Sequence, residues 1–462
     1  MTQVIAKLIP PISNMILARL FAPEVFGAIA TITMVTSFAD TLSESGFQKY
    51  IVSRKYDDSS ELYKDSNVAF WTNLFISILL WALISLFRKP LCSVLGNPEL
   101  EFAMIIACMQ LPITSLSSIQ LAVYQREYNF RRPFISQFIS SIITLVITLA
   151  LAFGGIGYWA IIIGNIVGYL LRSLLLSIRS VWKPYFYYSF KRLKNIFSFS
   201  MWIMIEAITV WLTSWFDSFI VGNKMNSHNL GIYKNSQSVV NGLLSIPQYS
   251  ITNVLIVALS KCDDDNEFRN TFLNMQRILA YILLPLGAGI FLYRELTVKI
   301  IFGPGWEDAE FVMALWSMVS IFRILLVSLN SAIYLSKRKP KISVYLQIID
   351  ILILIPCCII GVKYGLKTFV IIRCFTRLDI VIPSLLIVSK LFKIYIKSIM
   401  TNLSKPIFLT MAMYVVGILT KNLYDTFSWQ FISIFICVLC YCTLFIVFAK
   451  DDMKKIISMA KR

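Results

Sequence analysis

The chain is poor in charge and poorer still in acid: 15% of its 462 residues are charged, with 25 Asp and Glu against 43 Lys and Arg. A soluble globular protein carries about 25% charged residues, and no long polar region occurs here. There is one histidine, His228, in a stretch between apolar runs. A metal needs several ligands, so a lone loop histidine reads as a surface residue. The cysteines Cys357 and Cys358, and Cys437, Cys440 and Cys442, lie in apolar helical stretches without histidine or carboxylate. They read as small buried hydrophobes. No Gly-rich phosphate loop, GxSxG or HExxH is present, so catalysis has no support, and neither a cofactor nor a metal site is expected. The net charge of +18 comes without a basic-aromatic patch. The basic residues fall in short loops between apolar runs, which argues against nucleic acid as a partner.

What the chain has is hydrocarbon: 57% of its residues are hydrophobic and its mean hydropathy is +0.72. This is the composition of an all-α polytopic membrane protein. Counting apolar stretches of bilayer length predicts about 14 transmembrane helices. They are placed at 4–21, 26–52, 68–87, 100–124, 134–153, 157–178, 196–222, 229–258, 272–293, 309–335, 342–362, 366–389, 404–420 and 428–449. The first holds Lys7 and Pro10-Pro11, and no signal-peptide cleavage pattern follows it. Loops such as SRKYDDSSELYK, QREYNFRRP and SKRKPK share one side with the basic tail. That side carries about 27 Lys and Arg against about 8 opposite, which predicts a cytoplasmic location for it and for both termini.

The chain repeats itself. FAPEVFGAI resembles MNSHNLGIY, with Gly27 matching Gly231; LGNPELEFAM resembles FGPGWEDAEFVM, and LAVYQREYNFRRP resembles SAIYLSKRKP. One spacing of about 205–210 residues serves all three, which predicts two six-helix lobes in the same membrane orientation, a parallel repeat, plus two C-terminal helices. The expected domains are an N-terminal lobe at 1–180, a basic cytoplasmic linker at 181–195, a C-terminal lobe at 196–390, and two extra helices with a basic tail at 391–462.

Polar seams occupy equivalent places in the two halves. Ser37, Thr41, Glu44 and Gln48, with Asp40 beside them, match Asn241, Ser245, Gln248 and Thr252, and Lys234 and Ser238 extend the second seam. A charged residue at a helix centre costs about 2.5–3.5 kcal/mol on insertion scales. Such seams serve either interhelical hydrogen bonding or a wet cavity, and ionised members suit the cavity. Glu206 and Asp217, Arg323, Asp350, and Arg373, Arg377 and Asp379 also lie inside predicted spans. Arg19, Arg172 and Asp217 are near span ends, where snorkelling to the interface is the alternative to function. For the deeper arginines the alternatives are an Arg323–Asp350 or Arg373–Asp379 structural pair, or a phosphate-binding fork.

Several stretches resemble bacterial polysaccharide flippases: LARLFAPEVFGAIA (17–30), SESGFQKYIVSRK (43–55), YQREYNFRRP (124–133), FDSFIVGNKMNSHNLGIYKNS (216–236) and LLPLGAGIFLYRELTVKIIFGPGWEDA (283–309). The chain is thereby similar to the polysaccharide transporter branch of the multidrug/oligosaccharidyl-lipid/polysaccharide exporter superfamily, which includes Wzx-type O-antigen and capsule exporters. It departs from the family's frequent proline at VLIVALSK (254–261). The resemblance implies two lobes around a central cavity in the bacterial inner membrane, among membrane lipids. It implies a cargo of short oligosaccharide on undecaprenyl diphosphate, with a polysaccharide polymerase and a chain-length regulator as candidate partners. The expected cavity residues are Arg19, Asp40, Glu44, Gln48, Glu206, Asn241, Gln248, Arg323, Asp350, Arg373 and Arg377. Trp202, Trp211 and Trp215 are sugar-stacking candidates or interfacial anchors. With no nucleotide-binding motif, an ion gradient is the expected energy source, with Asp40, Glu44 or Glu206 carrying a proton. The competing reading is a cation-coupled multidrug antiporter of the same superfamily; a scaffold protein is a third.

Overall fold

The computed structural model describes residues 12–452 apart from Ser45, Asp57, Arg179, Asp263, Pro340, Asp425 and Asp451; the side chains of Glu44 and Trp202 also lie outside the described residues. Every regular element described is helical. Hydrocarbon offers no partner to a backbone N–H or C=O, so an apolar run folds into the one local form that satisfies both internally. Twelve helical spans among the described residues are long and apolar enough to cross a membrane. One of them, Lys341–Phe392, has 52 residues; at 1.5 Å per residue it would extend about 78 Å if straight. It turns back at 362–364, where Gly365 adopts φ 85°, so it holds both of the segments expected at 342–362 and 366–389. The segment expected at 4–21 lies largely outside the described residues.

The chain divides into two compact units, Met1–Lys234 and Asn235–Arg462. In the first, a helix over residues 12–18 (α1) precedes α2 (Pro23–Glu44), α3 (Phe47–Ser53), α4 (Ser59–Leu86), α5 (Arg88–Val94), α6 (Glu101–Cys108), α7 (Gln110–Arg126), α8 (Arg131–Phe153), α9 (Tyr158–Ile178) and α10 (Phe190–Lys224). The expected continuous helix at 26–52 is in fact α2 and α3, separated around Gly46. A Cβ at Gly46 would lie 2.5 Å from Ser200 Cα of α10, so the break lets α10 approach at backbone distance. α8 and α9 close on each other through Gly164 and Gly168, whose missing Cβ atoms would fall 2.1 and 1.9 Å from the Thr148 and Thr144 hydroxyls. Leu100, Met104, Leu111 and Ile162 belong to one buried cluster of this unit, and Ile51, Val68, Ile119 and Trp182 to another.

The second cluster is roofed by a charge network. Asp65 is fully buried. It accepts from Arg54 Nη1 at 2.7 Å, Tyr56 Oη at 3.1 Å and Arg192 Nη1 at 2.8 Å, and Arg192 Nη2 also donates to Glu61 at 2.6 Å. Asn67 Oδ1 accepts from the Tyr185 backbone N–H at 2.7 Å, and Trp71 donates to the Tyr185 carbonyl at 3.0 Å. The basic stretch at 180–195 is thereby laid along α4, and the start of α10 is fixed. Tyr56 lies outside the membrane-spanning segments; burial, and then the Asp65 charge, push its phenol above the ordinary tyrosine range.

α11 (Ser227–Ser260), which contains Pro247, continues into the second unit. There follow α12 (Asp265–Leu292), α13 (Arg294–Ile301), α14 (Ala309–Arg323), α15 (Asn330–Ser336), α16 (Lys341–Gly361), α17 (Gly365–Thr376), α18 (Val381–Phe392), α19 (Ile396–Lys421) and α20 (Phe427–Phe448). The expected 309–335 helix is interrupted by a π-helical turn at Ile324–Ser328, and the expected 366–389 helix breaks between Thr376 and Val381. The last two helices dock on α12 through Tyr293, whose hydroxyl lies 2.6 Å from Ser433 Oγ, and through the cluster of Ala288, Leu296, Met413 and Cys437. All nine cysteines are free; of the five expected to be buried, Cys358 and Cys437 are buried, Cys357 and Cys440 are half-buried, and Cys442 is exposed.

Replacing Asp65 by Ala leaves two guanidiniums and a phenol around an empty site. Loss of one partner of a buried pair costs about 3–5 kcal/mol, so Asp65→Ala should lower the detergent-solubilised melting temperature and cellular abundance, with Asp65→Asn intermediate. The raised Tyr56 phenol contributes stability that is complete below the unfolded tyrosine value of about 10 and is lost as pH rises above it. Melting curves of the Tyr56→Phe variant should therefore fall less between pH 9 and pH 11 than those of the parent chain.

Candidate functional site

The polar seam of α2 splits between two environments. Asp40 Oδ2 accepts from Gln110 Nε2 of α7 at 3.1 Å, and Asp40 faces a cavity of about 190 Å³ inside the first unit, with Thr33, Thr36, Asn165 and Tyr169. A neighbouring cavity of about 360 Å³ shares Asn165 and Tyr169 and is lined by Gln137, Ser140, Thr144 and Arg172. Arg172 therefore faces a polar pocket and does not merely snorkel. Thr41, one residue on from Asp40, faces a wider opening of about 410 Å³ with Lys49, Glu206, Trp211, Ser214 and Trp215.

The tryptophans of that opening are held from behind. Trp211 Nε1 donates to Ser37 Oγ at 3.0 Å, and its ring lies 4.7 Å from that of Phe38. Lys234 Nζ lies 3.7 Å above the Trp215 ring and donates to the Ser214 carbonyl at 3.0 Å. A planar aromatic face beside a lysine and a carboxylate suits a polyhydroxylated ring, since its C–H face meets the indole while hydroxyls meet charge.

The other expected residues of this unit are placed differently. Arg19 is exposed in the turn after α1, and Gln48 lies on the separate α3. The break at Gly46 thus removes Gln48 from the continuous seam that a single helix would have carried. Glu44 contributes no described side chain, and neither does Trp202. Asp217 does not snorkel: it is buried, accepting from Tyr233 Oη at 2.9 Å and from the Ser218 backbone N–H at 2.7 Å.

In the second unit the deep charges meet where two helices are broken. Arg323, the last residue of α14 before the π-helical turn, pairs with buried Asp350 of α16 at 2.6 Å. Its other nitrogen donates to the Arg377 carbonyl at 3.1 Å, in the break between α17 and α18. Arg377 donates to Ser320 Oγ at 3.3 Å, and its guanidinium lies 4.0 Å over the Trp316 ring. Buried Arg373 sits 5.9 Å from the same ring and donates to Thr376 Oγ1 at 3.3 Å. Trp316 in turn donates to Asn241 Oδ1 of α11 at 3.1 Å. The Arg323–Asp350 pair considered from the sequence is therefore present; Asp379 instead accepts the Ile380 backbone N–H at 2.5 Å. Gln248 is half-buried beside Pro247 on α11. Trp316, the platform for two arginines, escaped sequence reasoning, although it lies two helical turns before Arg323 on the same face.

The chain matches the family model described as "Polysaccharide biosynthesis protein" over residues 16–310. It is 25% identical over 308 residues to the succinoglycan biosynthesis transport protein ExoT of Rhizobium meliloti, covering 66% of this chain and 61% of that one. It is 23% identical over 359 residues to the lipopolysaccharide biosynthesis protein WzxC of Escherichia coli, covering 75% of this chain and 70% of that one. The teichuronic acid biosynthesis protein TuaB of Bacillus subtilis is 22% identical, with 67% and 64% covered. Thus the match spans about three-fifths to seven-tenths of the length of these relatives. Among solved structures, the lipid II flippase MurJ in an inward closed conformation has the same fold, with a TM-score of 0.82, 16% identity, and 97% and 98% of the two chains covered. An inward-facing MATE-family multidrug transporter follows the fold at a TM-score of 0.64 and 14% identity, covering 84% of this chain and 94% of that one.

The Arg323–Asp350 pair makes its own prediction. Arg323→Ala strands a buried carboxylate and should lower thermal stability by about 3–5 kcal/mol. Arg323→Ala combined with Asp350→Leu should recover most of that loss, because no uncompensated charge remains; melting of the single and double variants in one detergent checks it.

Proposed function

The chain belongs to the polysaccharide biosynthesis protein family, and from that premise we propose that it is a flippase for lipid-linked oligosaccharides. Its cargo on this reading is a short glycan on undecaprenyl diphosphate, carried from the cytoplasmic to the outer leaflet of the bacterial inner membrane, with both chain termini in the cytoplasm. The observation that carries the reading is the cluster at the broken helices of the second unit. There, Arg373 and Arg377 lie against Trp316, and Arg323 is tied to them through the Arg377 carbonyl and to the carboxylate of Asp350, with Asp379 in the same helix break. Three guanidiniums against two carboxylates leave an excess of positive charge inside about 30 Å of hydrocarbon. A diphosphate entering such a site exchanges its hydration for planar, bidentate donors.

The tryptophan-lined opening of the first unit suits the glycan, with Trp211 and Trp215 offering ring faces and Glu206 and Lys49 meeting hydroxyls. ExoT is named for succinoglycan, WzxC for lipopolysaccharide and TuaB for teichuronic acid. These are different polymers, so the proposal stops at the lipid-linked class and leaves the sugars open. Movement between leaflets would follow alternating access, and coupling to an ion gradient would use Asp40, Glu44 or Glu206 as proton carriers.

In a strain lacking the chain, surface glycan should be lost and its lipid-linked precursor should accumulate. Complementation with Arg377→Ala should restore less than a tenth of the glycan at unchanged protein abundance, and Arg377→Lys should restore more. Purified protein in proteoliposomes should move the undecaprenyl-diphosphate-linked repeat unit between leaflets. Normal surface glycan in the strain lacking the chain, or resistance to cationic drugs with no glycan phenotype, would overturn the reading in favour of the antiporter. Coupling has its own check: an imposed pH gradient should accelerate the leaflet assay, and Asp40→Asn or Glu206→Gln should abolish that acceleration. Rates indifferent to pH gradient, sodium gradient and voltage would reject it.

A further inference from the structure

The two halves of the internal repeat differ at one helix. An offset of 210 residues carries Tyr124 of α7 to Tyr334 of α15, and residues 114–118 to 324–328. α7 runs through its stretch as an unbroken α-helix, whereas the copy is split into α14 and α15 by the π-helical turn at Ile324–Ser328. The turn displaces a hydrogen bond. The Leu329 N–H reaches back five residues to the Ile324 carbonyl at 3.0 Å, so the Leu325 carbonyl loses the donor that an α-helix would give it. In hydrocarbon the replacement has to come from protein.

It comes through a relay of two amides. Gln276 of α12, fully buried, donates Nε2 to the Leu325 carbonyl at 2.9 Å. A side-chain amide has a donor end and an acceptor end, and only one of them suits that carbonyl. Asn402 of α19 decides between them: its Nδ2 donates to Gln276 Oε1 at 3.3 Å and to the Leu273 carbonyl at 2.8 Å. With its oxygen engaged there, Gln276 turns its donor to the π-helical turn. α19 is one of the two helices that lie beyond the repeat, so the half followed by the extra helices is also the half that carries the turn.

The turn keeps two ties in register. Just before it, Arg323 reaches Asp350 at 2.6 Å and the Arg377 carbonyl at 3.1 Å, in the break between α17 and α18. Just after it, buried Asn330 donates Nδ2 to Ser384 Oγ at 2.9 Å, and Tyr334 Oη lies 3.3 Å from the same oxygen, on α18 past the break. A π-helical turn takes in one residue more than an α-helical one. Without it, the chain after Arg323 is rotated by about 100° against the chain before, and the two ties cannot both be kept. The Arg323 fork, and Arg377 in the same break, are therefore held by contacts that lead through Gln276 to Asn402.

We propose that Gln276 and Asn402 are positioning residues of the arginine cluster, and that the extra helix α19 serves the anion site by holding the π-helical turn. The inference rests on the transport reading above. The probe is farnesyl diphosphate, a diphosphate on a short isoprenoid, and its binding to the purified full chain in nanodiscs is followed calorimetrically below the melting temperature of every variant. The parent chain should bind it and Arg377→Ala should lose it. Gln276→Met should weaken binding roughly fivefold or more. Asn402→Leu should weaken it too, and it keeps the test open should Gln276→Met fail to fold. The double variant should bind no more weakly than Gln276→Met alone, because Asn402 acts only through Gln276. Lowered melting temperatures with parent-like affinity in the single variants, or losses that add in the double variant, would sink the relay. A parent chain that does not bind the probe, or binds it no better than Arg377→Ala, fails the diphosphate reading instead, so the two failures are distinguishable.

Discussion

Within hydrocarbon, every backbone carbonyl and N–H needs a partner supplied by the protein itself. Unbroken helices meet that demand locally. The informative positions in this chain are those where a helix is interrupted, because a side chain must then donate to the stranded carbonyl. At the π-helical turn, Gln276 Nε2 donates to the Leu325 carbonyl at 2.9 Å and Asn330 Nδ2 to that of Leu326 at 2.8 Å. In the break after α17, Arg323 donates to the Arg377 carbonyl. At the end of α3, Arg126 donates to the Ile51 carbonyl at 3.1 Å and to that of Arg54.

The same requirement explains why charge and irregular backbone occur together. Arg323 closes a carbonyl and an Asp350 carboxylate at once, which fixes its fork in one plane. Arg377 gives up its own carbonyl to Arg323 and lays its guanidinium on Trp316. A cluster tied into the backbone in this way is preorganised, and on the proposed reading an anion would meet donors already held in place. π-helical turns and broken membrane helices recur at functional positions for that reason.

The first unit solves a different problem, the fastening of one long helix at both ends. α10 is held at its start by the Asp65 network and near its end by the Gly96 and Asn223 contacts to the α5–α6 loop, with Asn223 donating to the Val94 carbonyl at 2.5 Å. Between those points it carries Glu206, Trp211 and Trp215 past the α2 seam. The fixtures differ in character. The Asp65 end is a multi-centre ion network built around one fully buried carboxylate, whereas the far end is glycine against carbonyl.

The sequence by itself determined the class of fold, most of the span positions, the duplication, and the residue types that hydrocarbon would not accept without a reason. Apolar length, the 3.6-residue period and the cost of buried charge act locally, so they are written in consecutive residues. Only the tertiary structure decided where those helices break, since a break is tolerated when a distant donor such as Gln276, Asn330 or Arg126 arrives to satisfy it. It alone separated Asp40 from Thr41, made Arg323 and Asp350 partners, and brought His228 to Glu24 204 positions away. Pairing in a low-dielectric interior depends on distance in space, which the order of residues along the chain does not specify.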